Sequence, residues 1–353
     1  MTHSAPNRNK LDSLVLLRGI AVTMVCFCHF GEPLSGSGML AGLFNAFHTY
    51  GKYGVHIFFV ISGFIIPYSL YKGRYDVNNY FRFLYKRLLR LHPPYLAALA
   101  GTLILMFFSY RARHMIFPEN TLSILRSLAY FHAPADNPVF WTLAVEAQYY
   151  IFIGLFYIVL MRYPKTAFIV AIPVFLALSL TPAAQYVALL QYLGFFLIGT
   201  VGFLIYTNNG NRAYNLIGLL AIQIFVAVFC ETPAAILSFL TIAIILTYKG
   251  SVAGYLQFPG KISYSVYLIH FPLGIKLINL LKPRVSPSYY WVLFSVTCVI
   301  IFVISYLFYK VFEDYSEKLS KAIKYTPQKQ SPGDPLSINH PIPAPAGNTT
   351  ANV

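Results

Sequence analysis

Apolar runs of about bilayer length recur along the whole chain, separated by short polar punctuation, and no other feature constrains the fold as strongly. A helix crosses the hydrocarbon core with roughly 20 predominantly apolar residues. Spans are predicted over 14–32, 53–71, 94–110, 141–161, 166–181, 188–206, 213–230, 234–248, 262–281 and 289–310. The expected fold is therefore all-α, a polytopic transmembrane helical bundle of about ten helices. Only 10% of the residues are charged and 57% are hydrophobic, too little charge to cover a soluble domain of this length. Hydrophobicity is nearly continuous from Thr166 to Leu246, so the span borders are least defined there.

The placement of Lys and Arg sets the expected orientation. An N-terminus inside the cell, with Arg8 and Lys10, puts the segment Lys72 to Arg90 inside as well. That segment carries Lys72, Arg74, Arg82, Lys86, Arg87 and Arg90, the densest basic cluster of the chain. The same alternation leaves fewer cations outside and predicts that both termini are cytoplasmic. The net charge of +15 is then a matter of topology, not of nucleic-acid binding. The bilayer is the expected partner, through attraction of anionic headgroups to the basic cluster. Cys26, Cys28, Cys230 and Cys298 lie in apolar spans without paired spacing, so neither a disulfide nor a metal site is expected. Residues 1–10 read as a cytoplasmic segment and 11–325 as the membrane domain. The stretch 326–353, rich in Pro, Ser, Gly and Asn, reads as a disordered cytoplasmic tail. The first apolar run lacks a cleavage site and is expected to be a retained span. The expected location is the cell (inner) membrane, as a multi-pass protein.

Ionisable groups inside spans are costly and mark candidate functional sites. Arg18 and His29 stand eleven residues apart in the first span, about three turns or ~16 Å on nearly one helical face. An extended thioester could bridge that distance, its phosphates at the arginine and its reactive carbon near the histidine. Against this, Arg18 can snorkel to the headgroups and a lone histidine is commonly a hydrogen-bonded core residue. In the second span, Ser62-Gly63 forms a small-residue notch that helix packing explains as well as catalysis does. Trp141 suits the membrane interface. Glu146 lies deeper in the same span with no cation beside it in sequence, and a buried carboxylate must be paired across helices or protonated. The segment from Tyr80 to Tyr95 is amphipathic, and Arg87 and Arg90 share one face. Paired guanidinium forks suit phosphate oxygens, and a lipid-facing basic helix is the even alternative.

Together these segments resemble the acyltransferase family 3 membrane proteins, which include O-acetyltransferases of bacterial polysaccharides. The matching pieces run from Leu11-Asp12 through Leu17-Arg18-Gly19 to His29. They continue with Gly54-Val55-His56-Ile57-Phe58-Phe59-Val60-Ile61-Ser62-Gly63-Phe64, and with Lys86-Arg87 and Arg90 followed by Pro93 and Tyr95. Trp141-Thr142-Leu143 with Glu146, and Ile262-Ser263-Tyr264-Ser265-Val266-Tyr267-Leu268-Ile269-His270-Phe271-Pro272, complete the set. The resemblance implies a ten-helix fold, an acyl-coenzyme A donor taken from the cytoplasmic side, and transfer to a hydroxyl of a sugar. It implies function at Arg18 and His29, at Arg87 and Arg90, and at Glu146. His56 stands where many members carry Asp, and Glu313 is followed by Asp314 and Tyr315 where members often have a basic residue and Pro. The stand-alone form, without an esterase-like domain after the last span, is expected.

The expected activity is therefore an O-acyltransferase, with no permanently bound cofactor and with acetyl-CoA or another acyl-CoA as donor substrate. A surface polysaccharide, lipid-linked glycan or other glycolipid is the expected acceptor. His29 is expected to be the general base, with Glu146 orienting or charge-balancing it if the helices bring them together. Arg18, Arg87 and Arg90 would hold the donor, and Ser62 and Trp141 would meet substrate. An acyl-enzyme on His29 or Ser62 is an open variant. The rival class is a transporter or flippase for a glycolipid or small metabolite, whose spans are often broken in matching positions of two halves. No such symmetry is visible here.

Overall fold

The computed structural model describes residues 12–325; residues 1–11, with the expected cytoplasmic segment 1–10, and the tail 326–353 lie outside the described residues. Helices account for almost all of it, and no strand occurs among the described residues. They are α1 (Asp12–Gly31), α2 (Ala41–Gly51), α3 (Gly54–Lys72), α4 (Tyr80–Ala112) and α5 (Thr121–Leu128). After α6 (Trp141–Arg162) come α7 (Pro164–Ser179), α8 (Ala188–Tyr206), α9 (Arg212–Phe229) and α10 (Thr232–Thr247). The last three are α11 (Gly254–Lys261), α12 (Ser263–Arg284) and α13 (Pro287–Ala322). Eight apolar helices are at least 18 residues long, and α7 and α10 are shorter. Each predicted span falls on one of these helices, and this is a polytopic, all-α membrane bundle.

The largest departure from the predicted borders is α4. It runs unbroken from the basic segment through Pro93 and Pro94, where the sequence suggested a span starting at residue 94. Proline removes backbone donors from a helix interior, and neighbouring helices can compensate. The carbonyls that Pro93 and Pro94 leave without a helical donor are those of Leu89 and Arg90; beside them the Tyr264 hydroxyl of α12 donates to the Leu91 carbonyl at 2.8 Å. The amphipathic cationic stretch is thereby rigidly continuous with a membrane helix, which fixes where Arg87 and Arg90 point.

Contacts between distant segments define the two ends of the bundle. At one end, the Asp12 carboxylate accepts from the Val252 amide and the Gln257 side chain. There too Lys86 donates to the Ile323 carbonyl, and Arg82 to that of Lys324. At the other end Lys282 donates to the Pro33 carbonyl, Lys52 pairs with Glu231 and Lys276 pairs with Asp136. The first is called the basic end below and the second the histidine end.

Small residues bring α3 and α8 into backbone contact. A Cβ on Gly63 would lie 2.1 Å from the Phe196 carbonyl oxygen, and one on Gly199 equally close to that of Val60. Lipid offers no hydrophobic drive between helices, so close van der Waals packing of this kind is what associates them. The glycine of the Ser62-Gly63 notch is thus a packing residue, and its serine is free for another task. The apolar interior forms two clusters. One is built on α3, α6 and α8, the other on the second half of α1 with α4, α12 and α13. The candidate polar side chains lie on the helices that meet between them.

Candidate active site

At the basic end a cavity of about 390 Å³ opens among α3, α4 and the end of α13, lined by Ser69, Lys86, Arg87, Arg90, Lys321 and Lys324 with Glu317. Arg87 is 6% exposed. Its guanidinium donates to the Ser69 hydroxyl and lies over the rings of Phe83 and Tyr150, 5.4 and 5.8 Å from their centroids. Its Nε has no partner. Among the described residues no carboxylate approaches Arg18, Arg87 or Arg90 within ion-pair distance. A buried cation without a paired anion is strongly unfavourable, so this end favours an anionic ligand.

Arg18 of α1 reaches the same region. Its Nε donates to Ser263 Oγ at 3.1 Å, and it lies within Coulombic range of Arg90, Glu313 and Glu146. Glu313 is 7% exposed because the chain makes a π-turn over Tyr309–Glu313, and the extra residue swings this carboxylate inward. Glu313 Oε2 accepts from the Ser265 amide at 3.0 Å and the Ser265 hydroxyl at 2.5 Å. Ser265 stands in the first turn of α12, so a carboxylate from α13 caps the positive end of that helix. This gives Glu313 a structural task, which its atypical sequence context left undetermined.

Between the two ends, Glu146 of α6 is half-buried. Its Oε1 accepts from the Tyr150 hydroxyl one turn on and from Ser62 Oγ of α3 at 3.4 Å. Because the Tyr150 ring also lies beneath Arg87, the carboxylate is tied to the arginines through one aromatic side chain. Tyr264 and Tyr267 of α12 lie within Coulombic range of it, while their hydroxyls donate to the Leu91 and Val139 carbonyls.

At that end, His29 is half-buried at the close of α1. Its ring lies 5.4 Å from that of His270 and 4.9 Å from that of Phe271, centroid to centroid. The expected pairing of Glu146 with His29 does not form: α6 delivers the carboxylate to Ser62 and Tyr150, and α12 delivers an imidazole to His29. Trp141 is 39% exposed and its ring lies 5.0 Å from that of Tyr192 and 6.3 Å from that of Phe59. It belongs to an aromatic group around His56, whose ring lies 4.6 Å from that of Phe195.

Several site residues escaped the reading of the sequence. His270 was visible only as part of the Ile262–Pro272 motif. Lys321 and Lys324 lie beyond the last predicted span, where a polar helix end gives no sign that it folds back. Tyr150 is one aromatic among many; its spacing of four from Glu146 was the available signal.

Residues 11–310 match the sequence family described as an acyltransferase domain, acyltransferase family 3. One segment is 28% identical to "Nodulation protein 10" of Rhizobium leguminosarum bv. viciae, over 42% of this chain and 44% of that protein. Another is 28% identical to "Putative peptidoglycan O-acetyltransferase YrhL" of Bacillus subtilis (strain 168), over 47% of this chain and 26% of that protein. The chain thus spans less than half the length of either relative. No solved structure matches it.

Proposed function

Because the chain belongs to the acyltransferase 3 family, we propose that it moves an acyl group, acetyl in the simplest case, from acyl-coenzyme A to a hydroxyl of a carbohydrate. The acceptor class is a surface polysaccharide or a lipid-linked glycan. The name of the Bacillus subtilis relative points to a glycan, and a site built within a membrane bundle suits an acceptor arriving along or across the bilayer. The membrane in this reading is the cytoplasmic (inner) membrane, with the basic end inside, as the Lys and Arg distribution favours.

The observation that carries this reading is the polarity of the bundle. Arg87 and Arg90 line a cavity at one end, and Arg18 lies within Coulombic range of Arg90. None of the three is ion-paired among the described residues, and His29 stands at the far end of the helix that bears Arg18. The donor's phosphates would sit at the arginines, whose planar forks bind such oxygens bidentately. Its extended arm would run past Glu146 and bring the thioester toward His29. There His29 takes the proton of the acceptor hydroxyl as the oxygen attacks the thioester carbonyl. The C–O bond forms, the C–S bond breaks, and the departing thiolate recovers the proton from the imidazolium. Glu146 acts indirectly in this scheme, by holding Ser62 and Tyr150 along the donor's path.

Purified protein in detergent, given radiolabelled acetyl-CoA and a panel of glycan acceptors, tests the proposal. Label should pass to an acceptor with wild type and not with His29→Ala. Failure of the intact wild-type protein to bind or consume the donor would sink the proposal and favour a transport role.

A further inference from the structure

His270 was assigned no role above, yet it is the most completely buried imidazole of the site, with no measurable exposure. Its Nδ1 lies 2.8 Å from the Tyr267 carbonyl and 3.1 Å from that of Val266. Carbonyl oxygens only accept, so Nδ1 must carry the proton, and Nε2 of the neutral ring is a bare acceptor. That Nε2 is buried and has no hydrogen-bond partner among the described residues. Buried polar atoms are seldom left so, and each one calls for a reason. Since Nδ1 is turned back onto its own helix, Nε2 points outward from it. The α1 rings across from it are those of His29 and Phe30, with centroids at 5.4 and 6.3 Å. Phe30 has nothing to donate. His29 has a ring N–H and, among the described residues, makes no side-chain hydrogen bond of its own.

The backbone reinforces this placement. Directly after His270 the helix opens into a π-turn over Phe271–Ile275, a device that is rare and concentrated at functional sites. His270 and Phe271, at its start, both lie against the His29 ring.

We propose that His270 is a positioning residue for His29: Nε2 of His270 accepts the ring N–H of His29 and so presents the other His29 nitrogen, with its lone pair, to the acceptor hydroxyl. His270 itself neither gains nor loses a proton. The proton moves from the hydroxyl to His29 and on to the departing thiolate, as in the proposed reaction on which this inference rests. The tautomer of the base is thereby set by α12, the task that sequence reasoning had given to Glu146.

Two variants and two readouts test this. His270→Gln keeps an acceptor on a flexible side chain; His270→Phe keeps the bulk and removes the acceptor. In protein labelled with 15N at histidine, the His29 ring should show one tautomer in wild type and a mixture in His270→Phe. In the transfer assay, kcat should fall about 100-fold in His270→Phe and less in His270→Gln, while acetyl-CoA binding at the far end stays within twofold. An unchanged His29 tautomer in His270→Phe overturns the inference, whether or not transfer is detected. So does a parallel loss of donor binding and kcat, which would mark His270 as a packing residue. Absence of transfer by wild type, with the tautomer shift present, would instead count against the acyltransferase reaction alone.

Discussion

The two ends of the bundle solve opposite electrostatic problems. At the basic end, positive charge accumulates: Lys86, Arg87, Arg90, Lys321 and Lys324 line one cavity with a single carboxylate, Glu317, among them. At the histidine end the rings against His29 are another imidazole and a phenyl ring. Among the described residues no carboxylate pairs with it, and the charges at this end, Lys52 with Glu231 and Lys276 with Asp136, are paired with one another. The first environment suits a polyanion entering from water. The second, where carboxylates are paired with cations other than His29, suits a neutral imidazole that takes a proton and gives it back. A single helix, α1, joins the two through Arg18 and His29, so donor binding and proton transfer are held at a fixed separation.

This division predicts that substitutions at the two ends fail in different ways. The largest effect is expected for His29→Ala, which should reduce transfer by roughly 10²–10⁴-fold while acetyl-CoA still binds. Comparison of kcat with donor affinity is the check. Arg87→Ala and Arg90→Ala should do the reverse and weaken donor binding by about 10–100-fold, the loss of one or two charge-assisted hydrogen bonds. Arg87→Lys should restore little of it, because an ammonium cannot reproduce the fork. Gly63→Val should disturb both ends together. Its side chain would press on the Phe196 backbone, and overpacking costs about 1–3 kcal/mol, readable as a lower melting temperature in detergent. Unequal damage to the two functions would show that α3 and α8 serve one end more than the other.

The smallest effect is expected at Glu231, between α9 and α10. The Tyr53 hydroxyl first and Lys52 second hold its carboxyl below the usual carboxylate range. A lowered pKa means that the tie stabilises the fold above the ordinary carboxylate pKa and is lost as pH falls through the lowered value. The pair is largely exposed, so Glu231→Gln should cost under about 1 kcal/mol. The difference between wild type and variant should vanish in melts at acid pH.

The bundle was legible in the sequence because lipid permits so few solutions. Ten apolar runs map onto ten helices, and even the borders of α8 agree with the predicted span at 188–206. Lys and Arg likewise identified the segment that became the cavity wall. What stayed hidden were the pairings between helices. Glu146 and His29 are both costly inside a membrane, which made them candidates. Nothing along the chain says that α6 turns its carboxylate to Ser62, or that α12 brings His270 to His29. Those partners lie 84 and 241 residues apart, and their meeting depends on helix rotation and packing. Lys321 and Lys324 were missed for a related reason, since the stretch that carries them is polar and reads as the start of a tail.

The most direct test of the division between the ends is a titration of acetyl-CoA against purified wild type, His29→Ala, Arg87→Ala and Arg90→Ala, followed by heat of binding. Wild-type affinity in His29→Ala with affinity lost in both arginine variants is the predicted result. Binding lost in His29→Ala and preserved in the arginine variants would contradict it and place the donor at the wrong end of the bundle.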